Sequence, residues 1–102
     1  MNFKKMSIKL GLEEDECIEL VELFIETSKS ELKNLQSAIN NKNIEMITGI
    51  AHSLKGATMN LGLDDFLELA KSIEKTTRDG KLEETAKTAE IFQEKLYNSG
   101  GF

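Results

Sequence analysis

The most informative stretch of the sequence is residues 43–62, which read NIEMITGIAHSLKGATMNLG. Asn43 is a favoured N-cap residue, and Gly62 is suited to the left-handed conformation that often ends a helix. Between them the apolar side chains recur at steps of three and four residues, as expected for one face of a helix: Ile47, Ile50, Leu54, Ala57 and Leu61. The stretch therefore predicts an amphipathic helix over residues 43–60.

The segments on either side have the same helical periodicity. The segment before residue 43 has an apolar seam in alternating steps of three and four, made of Ile18, Val21, Ile25, Ser28, Leu32, Leu35 and Ile39. The chain has no proline, and its composition favours helix over strand. Besides the helix over 43–60, the pattern predicts a short leader helix and three longer ones, over residues 2–10, 13–40, 64 or 65 to 78, and 81–98.

Short connections between long amphipathic helices predict that neighbouring helices pack antiparallel. The expected fold is therefore all-α: an antiparallel up-down-up-down four-helix bundle over about residues 13–98, preceded by the leader helix. A chain of 102 residues has room for one domain, and the sequence contains no linker or repeat that would divide it. We expect a single domain over residues 1–102, and a monomer.

Charge and hydropathy exclude several classes of function. The formal net charge of −5 argues against a nucleic-acid-binding protein, because phosphate-binding surfaces need an excess of lysine and arginine. The longest apolar runs are far shorter than the roughly 20 residues that a membrane span needs. The N-terminal residues do not resemble a signal peptide, and a single cysteine fits a reducing compartment. A cytoplasmic protein is the expectation.

His52 is the only histidine of the chain. At about 100° per residue, the five apolar residues of the 43–60 helix fall within about 40° of the side opposite His52, so its imidazole should face solvent. Gly49 and Gly56 flank it at i−3 and i+4, and Lys55 follows at i+3. Glycine in an exposed helix costs up to about 1 kcal/mol relative to alanine. Two glycines around one exposed histidine therefore indicate a need for clearance.

A neutral imidazole is a competent nucleophile near pH 7, and it can accept and later release a phosphoryl group. Phosphoryl transfer depends mainly on positioning and on charge neutralisation by a metal ion. The sequence has neither a glycine-rich phosphate loop nor a cluster of metal ligands. His52 is therefore predicted to be a phosphoryl carrier with no metal site of its own, and catalysis is expected from a partner. The chain is not expected to be an enzyme.

The motif AHSLKGA at residues 51–57, followed by NLG at residues 60–62, resembles the signature of the histidine-containing phosphotransfer (HPt) domain. The family pattern is A-H-x-L-K-G with a further glycine six residues after the first. Ile73-Glu74, Arg78 and Gly80 resemble a second family stretch, Leu-Glu…Arg-x-Gly. The resemblance extends over most of the chain, from about residue 13 to residue 95.

The resemblance implies a place in a two-component phosphorelay. His52 would accept a phosphoryl group from the aspartate of a response-regulator receiver domain and pass it to a second receiver. Lys55 would steady the phosphoryl group, and Gly56 would leave room for it. The receiver would supply Mg²⁺, so the chain itself needs no cofactor. A hybrid sensor histidine kinase is a further possible partner.

A receiver would dock, by the same resemblance, on the exposed parts of the second and third predicted helices around His52. Gly49, Met59 and Leu63 are the candidate docking residues. Some family members have a glutamine near the position of Glu74 that contributes polar contacts. Because a carboxylate would repel a phosphate, Glu74 is predicted to lie outside the site. Lys71 stands where the chemotaxis-kinase branch of the family has a second histidine, which argues against that branch.

A second interpretation belongs to a different class of protein. A helical adaptor that is never phosphorylated could bind a receiver or a kinase and inhibit it, with the same fold and charge. The complete His-x-x-Lys-Gly set favours the carrier, because an adaptor has no need of it. Both a free-standing carrier and a domain of a larger kinase fit the sequence, and so does either direction of phosphoryl flow. Cognate partners and pathway output are equally open.

Overall fold

The computed structural model describes residues 2–99, and within that range the chain forms helices and no strand. The helices, in chain order, are α1 (Phe3–Leu10), α2 (Glu14–Asn40), α3 (Ile44–Leu61), α4 (Asp64–Arg78) and α5 (Leu82–Ser99). The all-α prediction is confirmed, and each helix begins and ends within one residue of its expected bounds. No helix in residues 2–99 is both long enough and apolar enough to cross a membrane.

Local interactions at both ends determine the length of α3. The side-chain oxygen of Asn43 accepts a hydrogen bond of 3.1 Å from the backbone N–H of Met46, which satisfies one of the free donors of the first turn. Gly62 ends the helix with a φ of 69°, a left-handed conformation that side chains other than glycine rarely adopt. The predicted cap and terminator of this helix are therefore both confirmed.

Helices α2 to α5 form a ring of neighbours, because each packs against the next along the chain and α5 packs back against α2. The remaining helix, α1, packs against α2. Three phenylalanine rings join α2, α4 and α5: the Phe24 and Phe66 centroids are 5.5 Å apart, and those of Phe66 and Phe92 are 5.1 Å apart. In this arrangement α3 lies between α2 and α4, so its outer face is bordered by both.

The buried face of α3 is rotated about the helix axis relative to the predicted face. Its fully buried residues are Ile47, Ala51, Leu54 and Thr58, whereas Ile50, Ala57 and Leu61 are only half-buried. The angular position of a residue on one helix does not include the effect of neighbouring helices on its burial. Packing against α4 covers one flank of the predicted stripe, while Ala57 and Leu61 on the other flank line an open groove next to α2. Although the buried face is rotated relative to the predicted one, His52 remains exposed.

Candidate functional site

His52 lies in the middle of α3, and 76% of its side chain is accessible to solvent. The prediction of an exposed imidazole is confirmed. A side chain on a helix that is capped at both ends and flanked by two others has a fixed backbone, so only its own rotamer is free to change. The arrangement presents an imidazole at the surface on a fixed backbone.

Lys55 lies on the same outer face but turns towards α4. Its Nζ donates hydrogen bonds to both carboxylate oxygens of Glu74, at 3.1 Å to Oε1 and 3.3 Å to Oε2. The two side chains are about equally exposed, at 25% and 24%. The ammonium therefore has a carboxylate partner, and it is less free than an ordinary surface lysine.

Glu74 also approaches the imidazole, with its Oε2 4.0 Å from His52 Nδ1. That distance is too long for a direct hydrogen bond, but it places the carboxylate beside the imidazole. The expectation that Glu74 lies outside the site was wrong. The expectation rested on repulsion between a carboxylate and a phosphate, but the ammonium of Lys55 offsets the charge of the Glu74 carboxylate. A useful signal was available, since Glu74 directly follows the buried Ile73 and so borders the core-facing side of α4.

The two glycines on either side of His52 are exposed, and neither is required by packing. A Cβ atom added to Gly49 or Gly56 would meet no heavy atom within 4 Å outside its own helix surroundings. Neither glycine has a left-handed backbone. The helix therefore tolerates two residues that weaken it, and their effect is to leave a low, open surface beside the imidazole.

The flank of His52 opposite Glu74 borders α2. The hydroxyl of Ser53 donates a 3.0 Å hydrogen bond to Glu31, which links α3 to α2. Beyond this link lies an open groove of about 260 Å³ between the two helices. Its lining is largely apolar and includes Leu20, Leu23, Thr27, Ala57, Asn60 and Leu61.

Leu20 was not predicted to lie at the surface, although its position outside the apolar seam of α2 was a signal. Leu20 is 38% exposed and Leu23 is 60% exposed. On α3, the predicted docking residue Met59 is 56% exposed. An apolar surface therefore adjoins the face of α3 that carries His52.

Leu63 was expected to contact a partner, but it is only 8% exposed and belongs to the hydrophobic core. Its backbone N–H donates a 2.9 Å hydrogen bond to the carbonyl of Thr58, five residues earlier, as in the Schellman motif. An apolar residue at this position usually folds back against the helix that has just ended. Leu63 is therefore removed from the docking residues.

Within residues 2–99, no group of three or more histidine, cysteine, aspartate or glutamate side chains is placed to hold a metal ion. The carboxylate nearest His52, that of Glu74, has a lysine as its hydrogen-bonding partner.

Comparison with known proteins gives one match. The family model described as the Hpt domain matches residues 19–99, which is most of the 102-residue chain and includes the whole of α3, α4 and α5. No curated protein and no solved structure gives a significant match. Members of the matched family are phosphoryl carriers of two-component signalling rather than enzymes. With its single histidine exposed on a capped helix, this chain belongs to the Hpt domain family.

Proposed function

We propose that this protein is a phosphorelay intermediate. His52 accepts a phosphoryl group from the aspartate of one receiver domain and passes it to the aspartate of another. The observation that supports this most directly is the exposure of His52, 76% of whose side chain is accessible, in the middle of a helix between two glycines. An ordinary surface histidine needs neither the glycines nor the lysine and glutamate beside it.

The orientation of the ring suggests which nitrogen reacts. Nδ1 is the nitrogen that faces Glu74, so we assign the attack to Nε2. The Nε2 lone pair forms a bond to phosphorus, the bond between phosphorus and the aspartyl oxygen breaks, and the aspartate leaves as a carboxylate. The proton on Nδ1 stays in place during attack. Transfer to the second receiver is the same step in reverse, with neutral imidazole as the leaving group.

We assign the metal ion to the receiver, since residues 2–99 contain no cluster of ligands for one. Phosphoryl transfer needs in-line positioning and neutralisation of the charge on the equatorial oxygens. Mg²⁺ held by the receiver would neutralise part of that charge. On this protein, Lys55 is the cation available to the phosphoryl group, and Gly56 with Gly49 leaves the space that a closely approaching active site needs.

We place the docking surface on α2 and α3, over the apolar groove and Met59. An exposed apolar surface beside a reactive side chain is a common feature of interaction sites. We further infer the antiparallel up-down-up-down order for α2 to α5, supported by their connections of only two or three residues, 41–43, 62–63 and 79–81. A single domain, a monomeric state and a cytoplasmic location are part of the same proposal.

Changing Met59 to Asp is expected to raise the Kd for a receiver domain about tenfold, because a charge would be desolvated in an apolar contact. The matched control is Ile91→Asp on α5, since Ile91 is 52% exposed and Met59 is 56% exposed. Calorimetric titration with a receiver in the presence of Mg²⁺ measures both. Equal weakening by the two variants would place the docking surface elsewhere.

The test of the proposed function is incubation of the protein with phosphorylated receiver domains of the source organism and Mg²⁺. A phosphoryl group that is labile to acid and stable to base should appear on this protein while the receiver loses its own. Binding of a receiver without any transfer would favour the inhibitory adaptor instead. Profiling every receiver in this way also identifies the donor and the acceptor, and hence the direction of flow.

A further inference from the structure

Lys55, the cation proposed to steady the phosphoryl group, is already bound to a carboxylate. Glu74 accepts two hydrogen bonds from its Nζ, at 3.1 and 3.3 Å. The lysines of α4 that form ion pairs have other carboxylates as partners: Lys71 is 3.7 Å from Glu68, and Lys75 is 3.3 Å from Asp79. The pair of Lys55 and Glu74 is distinct because it joins α3 to α4 directly beside His52.

We propose that Glu74 sets the phosphoryl-transfer equilibrium of His52 by competing with the phosphoryl group for Lys55. This inference rests on the proposed function and adds a residue that regulates it. With Glu74 in place, the ammonium is shared between a carboxylate and a phosphoryl group, and the phosphorylated form is kept easy to discharge. Glu74 is thus a positioning residue that acts through Lys55.

The physical basis is competition between two anions for one cation. A phosphoryl group carries nearly two negative charges above pH 7, and a charge-assisted hydrogen bond to an ammonium is among the stronger polar contacts. The Nζ of Lys55 can donate its hydrogen bonds to Glu74 or to the phosphoryl group, and each contact weakens the other. The 4.0 Å approach of Glu74 is to Nδ1 and not to Nε2, which carries the phosphoryl group, so its main effect passes through Lys55.

The carboxylate on the other flank of His52 has a different role. Glu31 accepts the hydroxyl hydrogen of Ser53 at 3.0 Å, and it lies on α2. Because the hydroxyl of Ser53 is neutral, this hydrogen bond does not occupy a cation that could otherwise contact the phosphoryl group. Glu74 is therefore the carboxylate whose removal should release a cation to the phosphoryl group.

The test compares Glu74→Gln with the wild type at equilibrium with one phosphorylated receiver, at pH 8. Glutamine keeps the shape and a hydrogen-bond acceptor but removes the charge. The ratio of phosphorylated to free protein should rise by roughly three- to tenfold, the size expected when one partly screened charge no longer competes for a surface cation. The matched control is Glu68→Gln, which removes the same charge from a pair on α4 and should leave the ratio unchanged. An unchanged or lower ratio in Glu74→Gln would overturn the proposal.

A double-mutant cycle shows whether the effect passes through Lys55. In a Lys55→Ala background, Glu74→Gln should raise the ratio by less than half as much as in the wild type. A structural role of the ion pair would lower the thermal midpoint of the Glu74→Gln protein without raising the ratio, which would also count against the proposal. If Glu74→Gln raised the ratio equally with and without Lys55, competition for the ammonium of Lys55 would be refuted.

Chemical phosphorylation separates this inference from the proposed function. Phosphoramidate transfers its phosphoryl group to a histidine nitrogen and releases ammonia, with no receiver present. The lifetime of the phosphohistidine, followed by phosphorus NMR, should be longer in Glu74→Gln than in the wild type or Glu68→Gln. If this holds while no receiver transfers to the wild type, the relay function fails and the electrostatic role of Glu74 stands. Equal lifetimes would refute the role of Glu74 even if transfer occurs.

Discussion

Replacing His52 with Gln is expected to reduce phosphoryl incorporation to background while leaving the fold intact. The glutamine amide has no basic nitrogen, so the nucleophile is lost completely. His52 is the only histidine of the chain, so no neighbouring imidazole can take over. With 76% of its side chain exposed, its replacement should change the free energy of unfolding by no more than about 0.5 kcal/mol. Transfer from a phosphorylated receiver and urea denaturation measure the two effects.

Receiver binding provides the control for this variant. Since the proposed docking surface is the groove between α2 and α3 together with Met59, the Gln variant should bind a receiver with a Kd close to that of the wild type. Phosphoryl incorporation that persists in the variant would place the acceptor on another residue type. The chemical stability of the linkage then identifies that residue, because phosphoserine and phosphothreonine survive acid and phosphohistidine does not.

The helices and the exposure of His52 were predictable because both depend on local periodicity. The Asn43 cap, the Gly62 terminator and the apolar spacing between them act within one helix, and the sequence contains all the information needed. The direction of His52 follows from the same spacing. Neighbouring helices turned the buried face of α3 towards Ala51 and Thr58 without covering the imidazole, so this prediction survived.

The pairing of Lys55 with Glu74 was not predictable in the same way. It depends on how α3 and α4 are rotated against each other, and residues 19 positions apart give no local signal of that rotation. The burial of Leu63 is a different case. The Schellman geometry after Gly62 is a local feature, so an apolar residue directly after the glycine could have been assigned to the core. That error came from treating the end of a helix as surface.

Replacing Gly56 with Leu is expected to stabilise the fold and to slow phosphoryl transfer about 100-fold. A Cβ at this position meets no heavy atom within 4 Å, so the new side chain fits without strain. Leucine is favoured over glycine in a helix interior by roughly 0.5–1 kcal/mol, and the free energy of unfolding should rise by that amount. One turn from His52, however, the isobutyl group would occupy the space that we propose a receiver's active site enters. Misplacement of the reacting groups by about 1 Å can cost about 100-fold in rate.

A graded series makes the two effects separable. Gly56→Ala should gain about as much stability as Gly56→Leu but slow transfer much less, because a single methyl group projects little beyond the helix. Single-turnover rates with one phosphorylated receiver and urea denaturation curves would be measured on all three proteins. Transfer by Gly56→Leu at the wild-type rate would show that the space beside His52 is not used by the partner. A rate that falls while stability rises can have only a functional origin, since the same substitution strengthens the helix that carries the histidine.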